Sequence, residues 1–156
     1  MQRTRALPTV AGAVSDELTF QQRLEIRLAL EELNAAFTHH LDHNEVESLA
    51  ELFTEDALYT NGPRRSEGRN EIEQLFRRRI AGGPRTSRHI YSGLRFDIES
   101  ATAATGYSVC LSFAADGEPP LPAKPFLVAD FVDRYRCDDG CWRFAERHIR
   151  PAFRGD

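Results

Sequence analysis

The sequence predicts a cone-shaped α+β barrel, with three N-terminal helices packed in a strongly curved, mostly antiparallel sheet. Three observations carry that expectation. Apolar residues in the first half recur every three or four positions, and near residue 87 the pattern turns toward a period of two. The helical segments come before the strand-rich half, so there is no βαβ alternation and no doubly wound parallel sheet. Turn signals then divide the second half at Pro119-Pro120, Pro122 and Asp139-Gly140.

The elements follow in order. Residues 1–17 mix Pro, Gly and Ser without a period and read as a flexible arm, leaving 18–156 as one domain. Phe20, Leu24 and Leu28, with Ile26, Leu30, Leu33, Phe37 and Leu41, predict an amphipathic helix over 20–41 with one broad apolar face. Asp42-His43-Asn44 breaks it and supplies capping side chains for a second helix, which Val46, Leu49, Ala50, Leu52 and Phe53 carry to about 53. Ala57–Thr60 reads as a strand and Asn61-Gly62-Pro63 as a turn. Ile72, Leu75, Phe76 and Ile80 give a third helix from Asn70, stopped by Gly82-Gly83-Pro84. Four long strands are expected over 87–99, 104–115, 125–137 and 141–152, the last two joined by a tight Asp139-Gly140 hairpin.

At 156 residues and a net charge of -4, the chain is one domain's worth, large enough to fold without a metal or disulfide staple. The acidic balance, with a pI of about 5.8, provides no global positive field for nucleic acid. No apolar run approaches the roughly 20 residues of a spanning helix, and Arg3 and Arg5 are followed by no signal-peptide core. A cytoplasmic protein that uses neither nucleic acid nor membrane is the expectation. Three cysteines fit that compartment: Cys110 stands alone, and Cys137 and Cys141 flank the last turn as reduced thiols. GxGxxG, GxxxxGK[ST] and GxSxG are all missing, which removes the signatures of dinucleotide, P-loop and hydrolase-elbow sites.

Candidate chemistry gathers at the end of the first helix. Asp42 stands at the unfavourable end of the macrodipole, where a carboxylate either caps the next helix or holds a basic partner. His39, His40 and His43 surround it. A metal reading would join His39, His43 and Asp42, but no helical Glu base accompanies them and the helix breaks at 42, so no resident metal or cofactor is expected. His89 opens the first long strand. It reads either as a structural histidine or as a base whose Nδ1 is held by a carboxylate. The Arg77-Arg78-Arg79 run reads as a charged helix face. Arg143, Arg147 and Arg150 alternate along the final strand, where one can project into a cavity as an anion clamp.

The run Leu41–Ala57 resembles the opening of the SnoaL-like group, in the nuclear transport factor 2-like superfamily of α+β cones. Glu67-Gly68-Arg69-Asn70-Glu71-Ile72 is similar to the group's entry to its third helix, and Ser87-Arg88-His89 to its T-R-H strand. Asp133-Arg134-Tyr135 and Gly140-Cys141-Trp142-Arg143-Phe144 resemble its closing hairpin. The group also holds isomerases, polyketide cyclases, non-catalytic binders and the small subunits of ring-hydroxylating dioxygenases.

In the branch of scytalone dehydratase, bile-acid 7α-dehydratase and hexachlorocyclohexane dehydrochlorinase, an aspartate at the end of the first helix orients a strand histidine that takes a proton. Asp42 and His89 fall on those positions, and Arg147 on that of an arginine assisting the leaving group. Phe37 departs from the pattern, because relatives carry Tyr or Lys five residues before the aspartate; this leaves Tyr59, Tyr91 or Tyr107 to act as the acid. The resemblance thus implies a cofactor-independent lyase acting on a small hydrophobic, cyclic substrate. The alternatives are an isomerase or cyclase using the same base, or a binding or structural subunit. Phe37, Phe53, Leu58, Tyr59, Phe76, Tyr91, Phe113, Phe126 and Phe131 are expected to line the cone. A homo-oligomer, trimer or dimer, is expected to cover the open sheet.

Overall fold

The computed structural model describes residues 17–155. The arm expected over residues 1–17 lies, apart from Glu17, outside the described residues. Helix α1 (Phe20–His43) opens on a capping box: Thr19 Oγ1 accepts from the Gln22 amide, and the Gln22 side chain accepts from the Thr19 amide. Its buried stripe is Ile26, Leu30, Leu33, Asn34, Phe37 and Leu41. The expected apolar face is narrower than predicted, since Phe20, Leu24 and Leu28 are exposed. They sit on a neighbouring row of the helix that the sheet does not reach.

Helix α2 (Val46–Glu51) is short and gives way directly to strand β1 (Phe53–Asn61). The chain therefore leaves helix earlier than expected, and Thr54-Glu55-Asp56 lies inside the strand. Strand β2 (Arg64–Glu67) was not predicted: Arg64-Arg65-Ser66-Glu67 carries no apolar alternation because it forms a polar edge of the sheet. Helix α3 (Arg69–Ile80) follows, and then β3 (Arg85–Ile98), β4 (Ala103–Asp116), β5 (Leu127–Asp138) and β6 (Cys141–Arg154) close the predicted strand-rich half.

The six strands form one sheet in the order β2-β1-β6-β5-β4-β3. All neighbours are antiparallel except β1 and β6, which run parallel with Tyr59 beside Arg147. Register shifts between Ser92 and Arg95, Val128 and Ala129, and Arg134 and Tyr135 bend the long strands around the helices. Gly93, at φ 67, lies within the first of these irregularities. Gly106 serves a different need: a Cβ there would meet the Tyr135 ring at 2.7 Å. Cys137 pairs with Trp142 and Cys141 with Asp138, so the two thiols are not directly opposite and both are free.

The inner face holds an aromatic hub. Phe37, fully buried, makes edge contacts with Phe53, Phe76, Phe131 and Phe144 at ring separations of 5.7–6.4 Å. Burying each such ring contributes about 1.5–3 kcal/mol. No helix among the described residues is long and apolar enough to cross a membrane.

Candidate active site

Asp42 lies in the last turn of α1, which continues to His43 before Asn44 turns left-handed at φ 58 and ends it. A carboxylate at a helix C-terminus is disfavoured by the dipole. Three donors from the start of β3 compensate. His89 Nδ1 lies 2.6 Å from Asp42 Oδ1, the His89 backbone N–H donates to Oδ2 at 2.9 Å, and Ser87 Oγ donates to Oδ1 at 3.0 Å. Burial alone would raise the Asp42 pKa. The hydrogen bonds and charge of His89, with the Ser87 hydroxyl, outweigh it and hold the carboxyl below its ordinary value. An ionised carboxylate can only accept, so Nδ1 carries a proton, and it is in the neutral form of the ring that Nε2 then presents a lone pair. The two side chains retain only 8% and 11% of their exposure, which keeps this pair out of bulk water.

Two residues that the sequence reading passed over brace the pair. Arg79, on the last turn of α3, donates to Ser87 Oγ at 2.8 Å and to Asn44 Oδ1 at 3.1 Å. An arginine can only donate, so Ser87 accepts from it and directs its own single proton to Asp42. Asn44 in turn donates to the Arg85 carbonyl at 3.2 Å, tying the end of α1 to the start of β3. Ser87→Ala leaves Arg79 and Asp42 one partner short and is expected to lower stability by about 1–3 kcal/mol in urea unfolding. A loss near zero would show that solvent already serves these groups.

Strand alternation places His89 and Tyr91 on the inner face of β3, and the neighbouring inner positions are small. Ser112 pairs with His89 and Cys110 with Tyr91, while Ala129 lies beside Cys110 on β5. Phe37, Phe53, Tyr59, Phe76 and Phe131 are also inside, but they pack on one another at the hub. Three expected lining residues need correction. Leu58 and Phe113 alternate with inward Tyr59 and Ser112 and so lie on the outer face. Phe126 precedes β5, is 41% exposed and sits under the Arg85 guanidinium. Tyr107 is on the outer face too, bonded to Asp130, and is removed as an acid. Burial raises the pKa of Tyr59 to about 12 and that of Tyr91 above the ordinary phenol, so both hydroxyls keep their protons at neutral pH.

Arg147 points inward and His148 outward. The Arg147 guanidinium is 1% exposed and donates from Nε and Nη2 to the two Asp133 oxygens at 2.9 and 2.8 Å. Nη2 also reaches Asn34 Oδ1 at 2.6 Å. Asn34 Nδ2 donates to the Tyr135 hydroxyl, which donates to Asp133, closing a ring of buried polar groups. Phe37, Phe131 and Phe144 surround the cation, the last at 3.9 Å from the ring centre. Burial works against this charge, and Asp133 more than offsets it. Two of the three guanidinium nitrogens are thus committed to the protein. Asn34 gives no advance signal in the sequence, and the closing-hairpin resemblance that includes Asp133 does not mark it as the buried partner of Arg147.

The histidines at the end of α1 do not assemble as the sequence trio of His39, His43 and Asp42. Asp42 faces His89, and His43 Nδ1 contacts the His39 carbonyl at 2.7 Å. On the sheet's other side, His148 borders an open recess of about 440 Å³ with Thr60, Gly62, Ile149, Arg150 and Pro151.

A curved sheet around three helices, with an Asp–His pair joining the end of the first helix to a long strand, defines a SnoaL-like cone. Residues 22–148 match the SnoaL-like domain family, and the chain belongs to it, within the nuclear transport factor 2-like superfamily. Among solved structures, a protein provisionally named scytalone dehydratase from Novosphingobium aromaticivorans DSM 12444 is 26% identical, with 86% of this chain and 89% of that one covered at a TM-score of 0.77. A single-residue variant of Rv3472, a protein of unknown function from Mycobacterium tuberculosis, is 25% identical over 84% and 73% of the two chains, with a TM-score of 0.71. The hexachlorocyclohexane dehydrochlorinase LinA-type3 from Novosphingobium barchaimii LL02 shares the fold at 21% identity over 87% and 92%, with a TM-score of 0.73. No curated protein gives a significant match.

Proposed function

We propose that this chain is a cofactor-independent lyase that eliminates water or a hydrogen halide from a small hydrophobic, cyclic substrate. The observation that carries the reading is the 2.6 Å contact between Asp42 Oδ1 and His89 Nδ1. His89 Nε2 takes the substrate proton, the C–H electron pair becomes the new double bond, and the leaving group departs with its own bonding pair. Asp42 stabilises the imidazolium formed in that step, which a positioned base accelerates by about 10²–10⁴-fold. Tyr91, two residues on along the same face of β3, is the proposed proton donor to the leaving group. Arg147, though paired with Asp133, keeps one nitrogen, Nη1, without a hydrogen bond among the described residues, and that nitrogen is the proposed aid to the departing group.

Alicyclic alcohols and halides, incubated with the full chain and followed by product mass, test this reading. Loss of water or HX supports elimination. An unchanged mass with altered connectivity would assign an isomerase or cyclase instead, and no turnover together with copurification of a large oxygenase subunit would overturn the enzyme reading.

We also propose self-association through the outer face of the sheet. Ile90, Leu111, Val128 and Phe153 lie side by side across β3 to β6, with Ile90 58% and Phe153 72% exposed. Light scattering is expected to give a dimer or trimer, and Ile90→Lys with Phe153→Lys to reduce it toward a monomer. A monomeric parent protein would remove the proposal.

A further inference from the structure

The end of α1 carries a second constellation, separate from the Asp42–His89 pair. One ring nitrogen each of His39 and His40 and a carboxylate oxygen of Glu45 lie within 4.8 Å of one another. The fold builds this grouping. The left-handed Asn44 reverses the chain, and the Glu45 amide donates to the His40 carbonyl at 2.9 Å, which returns the Glu45 side chain over the helix it has just left. The Glu45 carboxylate then meets His40 Nδ1 at 2.5 Å. His39 stacks on His43 at a ring separation of 4.3 Å, and His43 turns its own Nδ1 to the His39 carbonyl. The last carbonyls of the helix add negative potential beneath the group.

From this juxtaposition we propose that His39, His40 and Glu45 bind one divalent transition ion of the zinc or nickel type. Two imidazoles and a carboxylate are the donor set that such borderline ions take, and magnesium or calcium would prefer oxygen alone. Tetrahedral coordination at about 2.0–2.2 Å places donor atoms about 3.3 Å apart. The present positions reach that by rotation of side chains on the surface, with His40 and Glu45 parting slightly and His39 approaching. The ion takes the place of the direct contact between His40 Nδ1 and Glu45, and water completes the shell. Bound there, it clips the last turn of α1 to the start of α2 across the turn that contains Asp42.

The sequence pattern alone suggested a different set, because His39 and His43 are four residues apart on a helix. Asp42, its expected third member, is instead committed to β3. Glu45 enters only through the reversal at Asn44.

The test is titration of the untagged full chain with Zn²⁺ and with Ni²⁺, against a chromophoric chelator. One ion per chain in the micromolar range is expected, with a rise in melting temperature on binding. His39→Gln and His40→Gln should each weaken binding by at least about ten-fold. Glu45→Gln should weaken it by a smaller factor, and His148→Gln should leave it unchanged. Wild-type binding no tighter than that of the triple variant His39→Gln/His40→Gln/Glu45→Gln would overturn the site, as would half an ion per chain, which would place the metal between two copies. His39 and Glu45 are exposed and His40 is partly buried, and an unchanged amide spectrum confirms that each variant is folded.

Discussion

Replacing His89 with glutamine is expected to lower turnover of any substrate found in the elimination screen by about 10²–10⁴-fold, with the fold retained. Glutamine keeps much of the imidazole's bulk and still hydrogen-bonds Asp42, but has no basic nitrogen to take a proton. Asp42→Asn should cause a loss of similar order by another route. An asparagine amide facing Nδ1 acts as a donor, so the imidazole proton moves to Nε2 and the base is lost. The carboxylate also contributes to stability. Its folded pKa is depressed, so its contribution is complete above the unfolded aspartate value and is lost as pH falls through the lower folded value. Asp42→Asn should therefore flatten the acid limb of a stability-versus-pH curve. Full activity in a folded His89→Gln protein would end the proposed mechanism.

The largest stability effect is expected at Asp133. Both it and Arg147 are 1% exposed, so Asp133→Ala strands a guanidinium in the aromatic hub. Breaking a buried pair in this way costs about 3–5 kcal/mol. For a domain of this size that corresponds to roughly 6–20 °C in melting temperature, measured by circular dichroism. Surface pairs such as Arg77–Glu73 bound the comparison from below, at about 0–1 kcal/mol. The double variant Asp133→Leu/Arg147→Met should recover much of the loss, because no charge remains to be solvated. An Asp133→Ala protein that melts like its parent would mean that water reaches Arg147.

How much of this was legible depended on whether a residue's neighbours were local. The helices and the four long strands follow from apolar periodicity, which is a short-range property. Asp42 and His89 could be singled out by their resemblance to family motifs, yet their contact spans 47 positions and only the fold brings it about. Ser87 and Arg79 were hidden for a related reason. In sequence, Arg79 is one of three consecutive arginines, and nothing local distinguishes the one that turns under the sheet. Leu58 and Phe113 were misplaced because both faces of this sheet carry apolar residues, so strand alternation alone does not say which face is inside. Strand β2 had no apolar signal to read, being an edge whose backbone pairing with β1 does the work that packing does elsewhere.

The parallel contact between β1 and β6 also sets an order of events during synthesis. Thr60 and His148 are 88 positions apart and hydrogen-bonded, so β1 has its second neighbour only after β6 has emerged from the ribosome. Until then Phe37 and Phe53 lack the Phe144 ring that covers them, and one edge of β1 stays open to other chains. Pairings this distant make folding slow and leave nascent chains prone to aggregation. Loss of the final hairpin, by premature termination or proteolysis, would thus not yield a smaller working cone but an uncovered aromatic hub. Yield in a heterologous host should accordingly respond to lower growth temperature and to chaperones more than to changes at the surface.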